Sequence, residues 1–260
     1  MRISGILPED IRNTIDQIVV DRRGDDPQSY MRTEDIIGYV APGATYRIDS
    51  YRLSPATGET SSRSAPPVPA TPPPHVRLRG IWNATEDVDS SNANIFGGLG
   101  TLTISRSDFV IPEAPSTASA LAFYGARAYA HGDIVEFEVS QNMPVTVTSF
   151  GPEYASGFLH VEGLGSGSFI EHHVPPHLHM PLEPSAGDYL LLGRSDGEDY
   201  QLSAFRIPYG TAIYTPANVL HADPYLVGRY LVVYAATEHY STVVFRSQDG
   251  RPVNPTVGQS

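Results

Sequence analysis

His177-Leu178-His179, followed downstream by Gly210-Thr211-Ala212-Ile213-Tyr214-Thr215-Pro216-Ala217-Asn218-Val219-Leu220-His221, decides the fold expected for this chain. Side chains alternate between the two faces of a β-strand, so His177 and His179 project from the same face of any strand that carries them. A third histidine, His221, ends the second stretch. A small β-barrel brings strands from different parts of a chain close together, so we expect the three imidazoles to converge on one point.

Three converging imidazoles predict a metal site. Neutral imidazole is the commonest protein ligand for Zn, Fe, Ni and Cu, and three ligands leave coordination positions open for a substrate or water. Sites of this kind are usually catalytic. The sequence therefore predicts that His177, His179 and His221 bind a divalent transition metal, which is Fe, Mn, Ni, Cu or Zn.

The second stretch resembles one of the two signature motifs of the cupin superfamily, G-x5-P-x-G-x2-H-x3-N. Gly210, Pro216 and His221 match this motif. Asn218 stands where the family prefers glycine, and Tyr225 stands where it prefers asparagine. The resemblance implies an all-β fold, the cupin-type double-stranded β-helix, which is a jelly-roll barrel.

The first stretch resembles the other cupin motif, G-x5-H-x-H-x3/4-E-x6-G. His177, His179 and Glu183 match it, and its leading glycine would fall at Glu171. The resemblance implies that Glu183 is a fourth metal ligand and a catalytic carboxylate, which reaches the ion from a loop lengthened by residues 184–187.

Two alternatives to Glu183 stay open. The site is formed by three histidines alone, or its shell is completed by His172 or His173, which precede the Pro175-Pro176 turn. Tyr214 lies on the expected strand that leads to His221, and it is the tyrosine that we expect to line the cavity and to take part in catalysis.

Composition excludes several kinds of chemistry. The chain has no cysteine and no lysine, so all 17 basic residues are arginines. Disulfides, thiolate nucleophiles and Schiff-base lysines are therefore excluded. The net charge of −12 argues against a nucleic-acid-binding surface. The sequence has no long apolar run, which predicts that the protein does not enter a membrane and is cytoplasmic.

The expected organisation has three parts. Residues 1–25 form an N-terminal helix, which begins near Pro8 and is ended by Arg22, Arg23 and Gly24. Residues 151–260 form the metal-binding barrel. Residues 26–150, with a proline-rich loop at 54–74, form either a degenerate cupin-like half, which makes the chain a bicupin, or an extension of one barrel.

The resemblance also implies the function. Cupins include metal-dependent enzymes that act on small organic substrates, and the three-histidine set is similar to that of the quercetinase-type bicupins. We therefore expect a dioxygenase. The alternatives are a redox-neutral isomerase, lyase or cyclase, and a barrel that binds a small ligand without turnover. The resemblance further implies a homodimer.

Overall fold

The computed structural model describes residues 1–3, 5–61, 69–84, 99–160, 167–233 and 240–258. The helices within these ranges are α1 (Glu9–Asn13), α2 (Ile15–Ile18) and α3 (Ala118–Phe123), with one 3₁₀ turn at Phe158–His160. None of the described helices has the length and apolar character needed to cross a membrane.

Most of the described chain is β-strand. The strands, in chain order, are β1 (Arg2–Ile3), β2 (Asp21–Arg23), β3 (Tyr30–Val40), β4 (Thr45–Asp49), β5 (Arg52–Pro55), β6 (Val76–Asn83), β7 (Leu99–Ile104), β8 (Val110–Ala114), β9 (Arg127–Ala130), β10 (Ile134–Glu136), β11 (Met143–Phe150), β12 (Phe169–His173), β13 (His177–Pro181), β14 (Gly187–Asp196), β15 (Asp199–Arg206), β16 (Thr211–Thr215), β17 (Leu220–Val233), β18 (Tyr240–Ser247) and β19 (Thr256–Gly258).

Seven strands close a barrel. β12 pairs with β18, β18 with β7, β7 with β6, β6 with β15, β15 with β14 and β14 with β17, which returns to β12. The run Leu190-Leu191-Leu192 of β14 is fully buried, so both faces of this part of the barrel wall are covered. The predominantly β architecture and the barrel expected from the sequence are confirmed at this level.

Strand β17 belongs to two sheets and connects them. Residues 220–227 pair with β14 in the barrel, whereas residues 228–233 pair with β11 in a second sheet, and residues 230–233 pair there with β13. Gly228 stands at the change-over with φ +99°, a conformation that favours glycine. The second sheet continues from β11 to β3 and from β13 through β16 to β9. This path places β13, which carries His177, against the same long strand that carries His221.

The first half of the chain shares sheets with the second half. β6 and β7 are members of the closed barrel, and β3 pairs with β11 of the second sheet. β4, β5 and β10 form a separate three-stranded sheet. In the proline-rich segment, residues 62–68 lie outside the described residues, and residues 69–74 form neither helix nor strand.

The N-terminal segment differs from the single helix expected over residues 1–25. α1 ends at Asn13, because Thr14 leaves the helical conformation and its hydroxyl donates to the Asp10 carbonyl. α2 ends at Ile18, and Asp21–Arg23 form strand β2, which pairs with β3. Arg22 therefore does not end a helix; its side chain is buried.

Candidate metal centre

Three histidines from three strands meet in the interior. His173 ends β12, His177 begins β13 and His221 is the second residue of β17. Each offers a ring nitrogen, and these three atoms all lie within 4.8 Å of one another. All three residues are buried. The structure thus brings together His177 and His221 of the predicted set and adds His173, one of the alternatives left open by the sequence.

The hydrogen bonds of two of these rings orient the remaining nitrogens toward each other. His173 Nδ1 lies 2.6 Å from the Pro175 carbonyl, and His221 Nδ1 lies 2.9 Å from the Val219 carbonyl. A carbonyl oxygen only accepts, so both Nδ1 atoms carry protons and donate. The two Nε2 atoms, 3.2 Å apart, then present lone pairs to each other when the rings are neutral.

Burial keeps these rings neutral. It lowers the pKa of His173 to about 2 and that of His221 to about 4. Burial and the neighbouring histidines also hold the pKa of His177 well below its usual value. Uncharged imidazole is the form that binds metals.

The spacing of the two Nε2 atoms fits a transition metal. Two imidazoles bound tetrahedrally at the usual Zn–N distance have nitrogens about 3.3 Å apart. The observed 3.2 Å is close to that value. Two lone pairs that face each other at this distance repel, and a bound cation converts the repulsion into attraction. The donor set therefore fits a divalent transition metal held by imidazole nitrogen.

The loop before β17 helps to position both His173 and His221. Asn218 adopts φ +62°, the left-handed conformation for which glycine is preferred and which asparagine tolerates better than most residues. Its backbone N–H donates to the His173 carbonyl at 2.8 Å. The departure from the cupin pattern at this position therefore keeps the backbone geometry that glycine would supply.

His172 and His179 lie beside the group of three but outside it. Alternation along β12 turns His172 to the other face, where its ring lies 5.4 Å from that of Trp82. His179 shares the face of His177, and its Nε2 lies 3.6 Å from Asp223 Oδ2. Neither nitrogen of His179 makes a hydrogen bond with another described residue.

A largely buried carboxyl group, that of Glu171, adjoins His221; the Glu171 side chain is 12% exposed. Glu171 is aligned with His221 across β12 and β17, and its Oε1 lies 3.7 Å from His221 Nε2. Thr242 Oγ1 donates to Oε2 at 2.8 Å and fixes the carboxyl plane. Burial, reinforced by the nearby Asp223, raises the pKa of Glu171 to about 7.

Glu183 occupies a different environment. It is half-buried in the connection between β13 and β14, where its carbonyl accepts from the Ala186 N–H at 3.1 Å. It is not a member of the group of three. Glu171, at the position of the motif's missing glycine, is the glutamate that lies beside His221. The role of Glu183 as a fourth ligand stays a prediction.

Tyr214 lies on the opposite face of the second sheet. It is aligned with Leu178 of β13, not with His177 or His179. Its ring packs against Phe137 and Tyr129 in a separate apolar cluster, and its hydroxyl accepts from the Glu138 N–H at 3.3 Å. The geometry gives Tyr214 a packing role and leaves its expected catalytic role without support.

Arg22 of strand β2 reaches the same interior. Arg22 Nη1 lies 2.7 Å from the Tyr154 hydroxyl, to which it donates, and the guanidinium carbon lies 5.8 Å from the centre of the Phe169 ring. Phe169, Glu171 and His173 alternate onto one face of β12. The charge of Arg22 interacts with Glu171 and opposes the rise of its pKa.

Some of the residues around the histidines could have been predicted from sequence patterns, and others could not. Glu171 is separated from His173 by one residue, so strand alternation alone could have placed both on one face. The same holds for Asp223, which is separated from His221 by one residue. Arg22 and Tyr154 are far from the histidines in sequence and match no motif, so only the folded chain brings them near Glu171.

The closed barrel with its buried histidine group is compatible with a cupin-like fold. Comparison of the chain with models of protein families, with curated proteins and with solved structures finds no match.

Proposed function

We propose that this protein is a metal-dependent enzyme of the cupin type, which holds a divalent transition metal with His173, His177 and His221 and acts on a small organic substrate. One observation carries the proposal. The Nε2 atoms of His173 and His221 face each other at 3.2 Å, with both Nδ1 atoms held by backbone carbonyls. This arrangement is unfavourable for two neutral rings and favourable around a cation.

Three imidazoles leave coordination positions free for a substrate. A metal held by His173, His177 and His221 would polarise a substrate oxygen or, if redox-active, would activate dioxygen. The burial of all three histidines keeps bulk water away from the reacting atoms.

Among the residues that the structure describes, Glu171 is well placed to move a proton. Its Oε1 points toward His221, while its Oε2 is held by Thr242. A substrate hydroxyl that enters beside the histidines meets this carboxyl group. We assign to Glu171 the transfer of the hydroxyl proton of an enol or a phenol, or alternatively a fourth bond to the metal.

Dioxygenation is the reaction that we favour. A set of three histidines with an adjacent carboxyl group is similar to that of the quercetinase-type bicupins, and the site lies against apolar strands suited to an aromatic or enolisable substrate. A redox-neutral isomerase, lyase or cyclase is the second candidate. It is favoured by the carboxyl groups of the buried Asp223 and the largely buried Glu171, which supply acid–base chemistry without dioxygen.

The experiment measures oxygen uptake. Protein loaded separately with Fe, Mn, Ni, Cu or Zn is mixed with a panel of phenols and enols in an oxygen-electrode cell. Uptake with a redox-active metal, absent with Zn and absent in His221→Ala, supports a dioxygenase. Substrate conversion without oxygen uptake supports the second candidate. Full activity in His221→Ala would refute the assignment of His173, His177 and His221 as the metal site.

The identity of the fourth metal ligand is tested separately with Glu171→Gln and Glu183→Gln. Loss of a group that adjoins a metal site typically lowers metal affinity by about 10- to 100-fold. We expect a loss of this size, or a comparable loss of turnover, for Glu171→Gln alone. An effect confined to Glu183→Gln would return the fourth ligand to the position implied by the cupin motif.

The protein is further proposed to form a homodimer. Light scattering coupled to gel filtration measures its mass, and the mass of a single chain would contradict this part of the proposal.

A further inference from the structure

The described part of the interior around the histidines contains one arginine and two carboxyl groups. Arg22 and Asp223 are the only arginine and aspartate among the buried described residues, and the Glu171 side chain is only 12% exposed. Arginine keeps its positive charge in any protein environment. The histidines are neutral or positive, so Asp223 and Glu171 are the sources of negative charge in this set.

These groups are close enough to act on one another. Arg22 donates a hydrogen bond to the Tyr154 hydroxyl, which interacts electrostatically with Asp223 and Glu171. Burial raises the pKa of Tyr154 against the opposing effect of Arg22, and the two carboxyl groups add to the rise, so the hydroxyl stays protonated and remains a donor. Arg22 and Tyr154 thus lie near the two carboxyl groups, of which Glu171 is 3.7 Å from His221 and Asp223 is 3.6 Å from His179.

A divalent ion in the histidine group adds two positive charges to the one on Arg22. Asp223 and Glu171 together supply at most two negative charges. The site is therefore net positive whether Glu171 is ionised or protonated. An uncompensated charge in a protein interior is strongly unfavourable, so the loaded site favours an anion.

We infer that the substrate binds as an organic oxyanion, a carboxylate, enolate or phenolate, and that Arg22 of strand β2, with Tyr154, makes the site selective for it. This inference rests on the proposed function, because it assumes a divalent metal at the histidines. Arg22 acts at a distance on a metal-bound anion and is a specificity-determining residue. Neutral molecules of the same shape bind less well.

The test uses two simple ligands of opposite character. The full-length protein is loaded with Co(II), and its visible absorption spectrum is followed while azide, an anion, or imidazole, a neutral ligand, is added. Arg22→Met and Arg22→Gln remove the charge, whereas Arg22→Lys keeps it. Arg23→Met is the matched control, since Arg23 is the next residue of β2 and its side chain is 62% exposed.

We expect Arg22→Met and Arg22→Gln to weaken azide binding roughly tenfold, from the loss of one nearby unit charge. Imidazole binding should stay unchanged in these variants, and Arg22→Lys and Arg23→Met should resemble the original protein. If Arg22→Met does not fold, the comparison of Arg22→Gln with Arg22→Lys gives the same information.

Two results overturn the inference alone: azide binding that does not depend on Arg22, or equal weakening of azide and imidazole, which indicates a merely structural role. Failure of the original protein to bind Co(II) is a different result, because it removes the proposed function and the inference with it.

Discussion

The Nε2 atoms of His173 and His221 lie 3.2 Å apart, and the Nδ1 atom of each ring donates to a backbone carbonyl, of Pro175 and Val219 respectively. The backbone thus fixes the tautomer and the orientation of both rings before any ligand arrives. Such preorganisation lowers the cost of metal binding, because little conformational freedom remains to be lost.

The burial of the histidines makes the stability of the metal-free protein depend on pH. Between pH 5 and 6 the unfolded chain protonates His173, His177 and His221, whereas the folded chain does not, since their folded pKa values are lowered. Stability must then fall as the pH falls. Glu171 opposes this trend, because its raised pKa makes the folded chain the better proton binder.

Three histidines outweigh one carboxyl group, so we expect the free energy of unfolding to drop by roughly 2–3 kcal/mol per pH unit over this window. Urea unfolding of EDTA-treated protein at several pH values measures the slope. His221→Asn should reduce it by about 1.4 kcal/mol per unit. A stability that is flat or rises on acidification would contradict the buried, neutral histidines.

Asn218 is expected to tolerate glycine and to reject β-branched residues. Its φ of +62° is accessible to glycine, so Asn218→Gly should change the free energy of unfolding by less than about 1 kcal/mol. Asn218→Val should cost about 1–2 kcal/mol. It should also weaken zinc binding, because the loop holds the His173 carbonyl. Urea unfolding and zinc titration check both outcomes, and equal stability of the two variants would refute the assigned conformation.

Gly228 is expected to be required for the bend of β17. A Cβ atom there would lie 2.8 Å from the Cα of Ala186, and φ is +99°. Gly228→Ala should therefore lower the free energy of unfolding by about 1–3 kcal/mol. Gly187→Ala is the control, since its added Cβ meets nothing within 4 Å. Thermal unfolding of the pair measures the difference, and two equally stable variants would argue against the two-sheet path of β17.

Tyr214→Phe separates packing from catalysis. The change removes the hydroxyl that accepts from the Glu138 N–H and should cost about 1 kcal/mol of stability. Metal affinity and turnover should stay unchanged, because the residue lies on the face of the sheet away from the histidines. A variant that folds and binds metal but has lost turnover would restore the catalytic role expected from the sequence.

The sequence predicted the part of this molecule that depends on local periodicity. The β-barrel, a cluster of buried histidines that could hold a metal ion, and the presence of His177 and His221 in that cluster follow from strand alternation and from the cupin-like spacing. Alternation correctly put His177 and His179 on one face. It carried no information on distance, and residues i and i+2 of a strand lie nearly 7 Å apart.

The observed group contains His173 in place of the predicted His179. His173 and His177 are joined by the turn at Pro175. Across this turn the ring centre of His173 lies 4.3 Å from that of His177, whereas the ring centre of His179 lies 5.5 Å from that of His177. His179 Nε2 lies 3.6 Å from Asp223 Oδ2. The roles of Arg22 and Tyr154 depend on packing between distant segments. No local pattern encodes such contacts.

Metal content is the most direct test of the histidine centre. Untagged protein, His173→Ala and His179→Ala are purified identically and measured by plasma mass spectrometry. We expect one transition-metal ion per chain in the original protein and in His179→Ala, and almost none in His173→Ala. Retention of metal by His173→Ala together with its loss from His179→Ala, or no metal in any of the three, would contradict the site formed by His173, His177 and His221.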